Sequence, residues 1–142
     1  MIDKFINDTL QTKEQLNSFL FRLEKFINVV NKKNFSRLLR KMFFTEEQAF
    51  LSYFITKDDD IQKKADRLKS KLEKIPVFTL YIPFYPSPKL IDRIIGFLRA
   101  NDQVAVLEIK INPNLLAGAI VEFKGKMKDY SLKNFLEINN AV

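Results

Sequence analysis

The chain has 142 residues, with 24 basic and 17 acidic side chains for a net charge of +7, and it contains neither cysteine nor histidine. Disulfides and thiolate chemistry are thereby excluded, and the commonest general base and metal ligand are missing. A hydrophobic share of 46%, including 14 phenylalanines, is that of a folded protein with material for one core or two small ones.

The N-terminal stretch MIDKFINDTL has no apolar core behind a basic start, so it does not read as a secretory signal. No uninterrupted apolar run approaches the ~18 residues that a membrane-spanning helix needs. A soluble protein is expected, reaching a membrane only through partners. Read over the whole chain the positive charge is dispersed, and lysine serves as a general solubiliser. Such a surface attracts phosphate polymers or anionic lipid, but no aromatic-plus-basic cluster of the nucleic-acid type stands out.

Residues 1–75 contain neither proline nor glycine and read as helix throughout. After a turn or two within Ile2 to Leu10, Thr12 and Gln15 resemble a capping box. Leu16, Phe19, Leu20, Leu23, Phe26, Ile27 and Val30 then follow the i, i+3, i+4, i+7 spacing of a wide apolar stripe. The polar break Asn31-Lys32-Lys33-Asn34 precedes a second stripe of Phe35, Leu38, Leu39, Met42 and Phe43. Thr45 and Gln48 offer another box ahead of Ala49, Phe50, Tyr53 and Phe54. Short helices joined by tight loops predict a small antiparallel bundle over 1–57.

Asp58-Asp59-Asp60 reads as an N-cap at the positive end of a helix dipole, since three consecutive side chains diverge and form no metal cage. The helix over 58–75 carries the narrow stripe Ile61, Ala65, Leu68, Leu72 and Ile75. Its first four positions are a candidate seam for a partner helix, the alternative being packing on the chain's own bundle or sheet.

Pro76 ends that helix. Val77 to Ile82 is β-branched and aromatic enough for a strand, and Ser87-Pro88 is a helix start with serine as cap and proline at the first helical position. Leu90, Ile91, Ile94, Ile95 and Leu98 form the buried face of the helix, and Val104 to Ile111 returns as a strand. One face of that strand, Ala105, Leu107, Ile109 and Ile111, should be covered and the other partly wet. Strand, helix and strand make a parallel βαβ unit.

The remainder is a run of turn signals. Asn112-Pro113-Asn114 breaks the strand, and Ala117-Gly118 opens another whose inward face is Ala119, Val121 and Phe123. Gly125 reverses the chain into a hairpin with Met127 pointing inward. Asp129 or Ser131 caps a last helix with Leu132, Phe135 and Leu136 on its apolar face. The predicted class is therefore α+β, with a helical bundle over 1–57, a connecting helix over 58–75 and a mixed-sheet domain over 76–142.

The order Asn-Pro-x-Leu-x-Ala-Gly, apolar strand, Gly-Lys turn, Asp-x-Ser and short helix resembles the C-terminal domain of the δ subunit of F-type ATP synthase. The mitochondrial member of that family is the oligomycin-sensitivity-conferring protein. Pro113, Leu115, Gly118, Gly125, Asp129, Ser131 and Leu136 match the family pattern, while Asn112, Ala117 and Tyr130 depart from it. The resemblance spans about residues 58–142, and the helical half is shorter than the family's six-helix bundle.

It implies a non-catalytic peripheral-stalk subunit without cofactor, held as a peripheral protein at the cytoplasmic face of the membrane. Its bundle would grip α-subunit N-termini, and its C-terminal domain would take up b-type stator helices.

Catalytic readings find no support in the motifs. Gly118 to Gly125 is too widely spaced for a phosphate loop, and Met127 stands where Ser or Thr should bind magnesium. There is no dinucleotide fingerprint, and no carboxylate pair lies in an evident apolar pocket. Two other readings remain open: a basic nucleic-acid binder using Tyr81 and Phe123 on an exposed strand face, and a helical adaptor unrelated to rotary ATPases.

Overall fold

The computed structural model describes residues 2–56, 60–100, 104–115 and 119–129. Within them the chain is α+β, with helices first and then a small mixed sheet. It divides into two compact units: 1–10 with 14–75, and 11–13 with 76–142.

The helical unit contains α1 (Ile2–Asp8), α2 (Lys13–Val29), α3 (Phe35–Met42), α4 (Thr45–Phe54) and α5 (Ile61–Glu73). Its stripes converge on a run of phenylalanine rings. Phe54 meets Phe50, Phe50 stacks on Phe5 at 4.0 Å, and Phe5 meets Phe19 edge-on at 5.3 Å. Phe43 then bridges Phe19 and Phe26, and Phe26 reaches Phe35. Rings at these separations add about 0.5–1.5 kcal/mol per pair beyond their burial, so one continuous contact ties α1 to α4 together.

The Asn31–Asn34 break is a side-chain turn: Asn31 Oδ1 accepts from the N–H groups of Lys33 and Asn34, and Asn34 Oδ1 accepts from Asn31. The box expected at Thr45 and Gln48 lies one residue earlier. Phe44 is the N-cap residue, and Glu47 reaches back to accept its N–H at 2.9 Å. Phenylalanine has no oxygen to offer in return, so only half the motif exists. Asp60 caps α5 by accepting from Lys63 N–H at 3.2 Å, whereas Asp58 and Asp59 lie outside the described residues.

Of the two readings of the α5 stripe, packing on the chain's own bundle is the one the structure shows, and α5 is part of that bundle and not a separate connecting helix. Ile61, Ala65, Leu68 and Leu72 are all buried, and α5 belongs to the helical unit. Gln62 Nε2 donates to the Ile27 carbonyl at 3.1 Å, and Lys69 lies 3.8 Å from Glu24. A narrow stripe suffices because α5 faces its neighbours along one line, and that line is consumed inside the chain.

The second unit holds β1 (Val77–Ile82), α6 (Pro88–Ala100), β2 (Val106–Ile111), β3 (Ile120–Phe123) and β4 (Lys126–Asp129) in the order β2-β1-β3-β4. β1 and β2 are parallel, and β3 is antiparallel to both β1 and β4, giving the expected mixed sheet. Ser87 Oγ accepts from Leu90 N–H at 3.2 Å, as its position before Pro88 predicts.

Lys124 and Gly125 form the β3–β4 turn with φ of 51° and 78°. Two positive φ values in a two-residue loop define the type I′ turn, whose twist matches that of the strands. The β2 edge is not left bare: Leu107 N–H donates to the Gln11 carbonyl at 2.9 Å, and Thr12 pairs with Leu107 as a parallel bridge. The opposite edge, β4, carries Lys126 and Lys128, charges that discourage further strand pairing.

Candidate partner-binding surfaces

Register sorts the sheet into two faces. Phe78, Leu80, Ile82, Leu107, Ile109, Val121 and Phe123 share the face on which Ile91, Ile94 and Ile95 of α6 pack, and Ala119 joins them. α6 leaves part of this face open. An apolar groove of about 430 Å³ runs between the helix and the strands, lined by Phe78, Leu80, Ile94, Phe97 and Val121 with the exposed Arg93 at its rim.

The other face is polar and cross-linked. Lys13 Nζ lies 2.7 Å from Glu108, Lys110 lies 3.3 Å from the same carboxylate, and Tyr81 donates its hydroxyl to Glu122 at 3.0 Å. The bond from Lys13 holds the Glu108 carboxyl below its ordinary pKa, and the Glu108 carboxylate in turn raises Lys110. The Glu122 carboxylate beside Tyr81 raises the phenol.

This register also corrects the orientation of Met127. It pairs with Glu122, which fixes it on the polar face, and 64% of its surface is exposed. The two-residue turn pairs Phe123 with Lys126, which puts lysine on the apolar side and turns Met127 away from it.

Of the family-motif residues, Pro113 and Leu115 sit in the turn after β2, where Asn112 Oδ1 accepts from Asn114 N–H and Leu115 N–H donates to the Asn112 carbonyl. Gly125 makes the hairpin, and Asp129 ends β4 opposite Ile120. Gly118, Ser131, Leu136 and the terminal helix lie outside the described residues. The placed residues belong to turns and strand ends on both edges of the sheet, so they position the chain and do not converge on a site. Tyr81 and Phe123, the pair needed by a nucleic-acid reading, lie on opposite faces; Tyr81 is bonded to a carboxylate and Phe123 packs on Phe78 at 5.9 Å.

In the helical unit, Arg22 and Glu47 form a bidentate pair. Nη2 donates to Oε2 at 2.9 Å, while Nη1 donates to Oε1 and to the Met42 carbonyl at 3.2 Å. The guanidinium lies over Phe44 at 4.9 Å and near Phe43 and Phe19. Held by these bonds and flanked by rings, this pair fixes the α3–α4 corner against α2.

Charge on the helical unit is less dispersed than a whole-chain count implies. From Lys25 to Phe44 there are six cations and no carboxylate. Counting signs in a window of one helix and its flanks would have found this run.

Among the described residues no cluster of three or more carboxylates is placed to hold a metal ion, and no helix is long and apolar enough to cross a membrane. No protein-family model matches the chain, and no curated protein matches it.

Proposed function

We propose that this chain is a non-catalytic peripheral-stalk subunit of a rotary F-type or F-type-like ATPase, a peripheral protein at the cytoplasmic face of the membrane. The observation that carries the reading is the apolar groove beside α6, rimmed by Arg93, in a mixed-sheet unit that has Pro113 and Leu115 in the turn after β2 and Gly125 in the β3–β4 turn. An amphipathic helix binds by laying its apolar face into such a groove, and a basic rim steers an acidic partner. The b-type stator helix is the proposed occupant, and the helical unit is proposed to hold α-subunit N-termini. The work done is affinity and stiffness, and no cofactor enters it.

The test is a pull-down from the native cell of the protein tagged at Met1, washed at low and at high salt. Recovery of rotary-ATPase α and b-type subunits that persists in salt is expected, and Arg93→Glu should diminish the b-type share. Recovery of nucleic acid or ribosomal proteins alone, released by salt, would overturn the assignment.

A further inference from the structure

We infer that the outer face of α3, together with the turn before it, docks electrostatically on an anionic phospholipid surface. Phe35, Leu38 and Leu39 turn into the core, which leaves Arg37, Arg40 and Lys41 on the opposite side of the helix. At 3.6 residues per turn these three fall within an arc of about 100°. Lys32 and Lys33 extend the exposed charge into the Asn31–Asn34 turn. None of the five has an ion-pair partner among the described residues, although Lys13, Arg22, Lys69 and Lys110 all do.

The shape of this surface selects among polyanions. A protein partner needs an aromatic or aliphatic anchor at the centre of its contact, and α3 has spent its apolar side chains inward. Single-stranded nucleic acid is bound by cations interleaved with stacking rings, and the arc carries no aromatic side chain. A bilayer asks only for cations presented to a plane, each Lys or Arg being worth about 1 kcal/mol near an anionic leaflet.

Beside Arg40 an open groove of about 400 Å³ between α3 and α4 includes the hydroxyls of Ser36 and Ser52, donors suited to one headgroup phosphate. This inference is independent of the stalk reading and stands or falls without it.

The experiment is co-sedimentation of the full chain with vesicles of phosphatidylcholine alone or with about one-third phosphatidylglycerol, at 50 mM and 500 mM salt. Binding is expected only to the anionic vesicles and only at the lower salt, where screening is weaker. The triple variant Arg37→Gln, Arg40→Gln, Lys41→Gln should lower the partition coefficient on the order of a hundredfold. The matched variant Lys63→Gln, Arg67→Gln, Lys71→Gln removes the same charge from exposed positions of α5 and should change it less than about threefold.

All six positions are exposed and glutamine favours helix, so unchanged circular dichroism is expected of both variants. No preference for anionic vesicles would overturn the inference, as would equal losses in the two variants. Tighter, α3-dependent binding to a 20-bp DNA duplex, read by fluorescence anisotropy, would replace it with a nucleic-acid surface.

Discussion

The two units treat charge in opposite ways. The helical unit holds the ion pair Arg22–Glu47 against a layer of phenylalanine, with Glu47 retaining only 3% and Arg22 21% of side-chain exposure. The sheet unit spreads Lys13, Glu108, Lys110, Tyr81 and Glu122 over a half-open face. A buried pair strongly penalises the loss of either partner, because the survivor is stranded away from water. A surface lattice shares its charges with solvent, and each link contributes little.

The comparison breaks most visibly at Glu47. Glu47→Gln should cost about 3 kcal/mol in urea denaturation, since Arg22 is left with an uncompensated charge. The double variant Arg22→Leu, Glu47→Leu should recover most of that loss; if it does not, the pair is worth more than its desolvation and the contrast with the sheet is overdrawn.

The hairpin asks whether backbone geometry outweighs charge in the sheet unit. Gly125→Ala meets no neighbouring atom but must hold φ near 78°, so a loss of about 1 kcal/mol is expected from backbone strain alone. Lys124→Asn places a residue tolerant of positive φ at the other central position and should raise stability by about 0.5 kcal/mol. Thermal melts of the two variants displaced in opposite directions would bear this out.

The smallest effect belongs to Glu108. Its folded pKa is lowered, so its contribution is fully present above the ordinary glutamate value and is lost as pH falls through the lowered one. Glu108→Gln should therefore cost under about 0.5 kcal/mol at neutral pH and flatten the acid limb of the stability curve. An unchanged acid limb would assign that slope to other carboxylates.

What could be read from the sequence was whatever depends on near neighbours. The stripes of α2, α3 and α5, the Ser87-Pro88 start, the strand from Val77 to Ile82 and the reversal at Gly125 are set by local periodicity and turn chemistry; on α4 only Phe50 of the predicted face is buried, Ala49 and Tyr53 being exposed while Leu51 and Ile55 enter the core. Features that need a distant partner were missed or misread. Thr12 was legible as the residue before a helix, but its pairing with Leu107 was not, because Gln11-Thr12-Lys13 has neither the length nor the alternation of a strand. The seam on α5 was visible as a stripe, while the identity of what covers it is a tertiary fact. The groove at Arg93 is a gap between α6 and two strands, and no single segment encodes it.

The pairing at Thr12 also bears on the order in which the chain is made. Residues 11–13 leave the ribosome well before Leu107, and at 5–20 residues per second the delay is about 5–20 s. Helices form in microseconds, so α2 to α5 have time to fold while this short strap waits for its strand. The sheet unit thus opens and closes around the helical one in time: its first three residues are synthesised before the bulk of the helices, and its edge is sealed only after them.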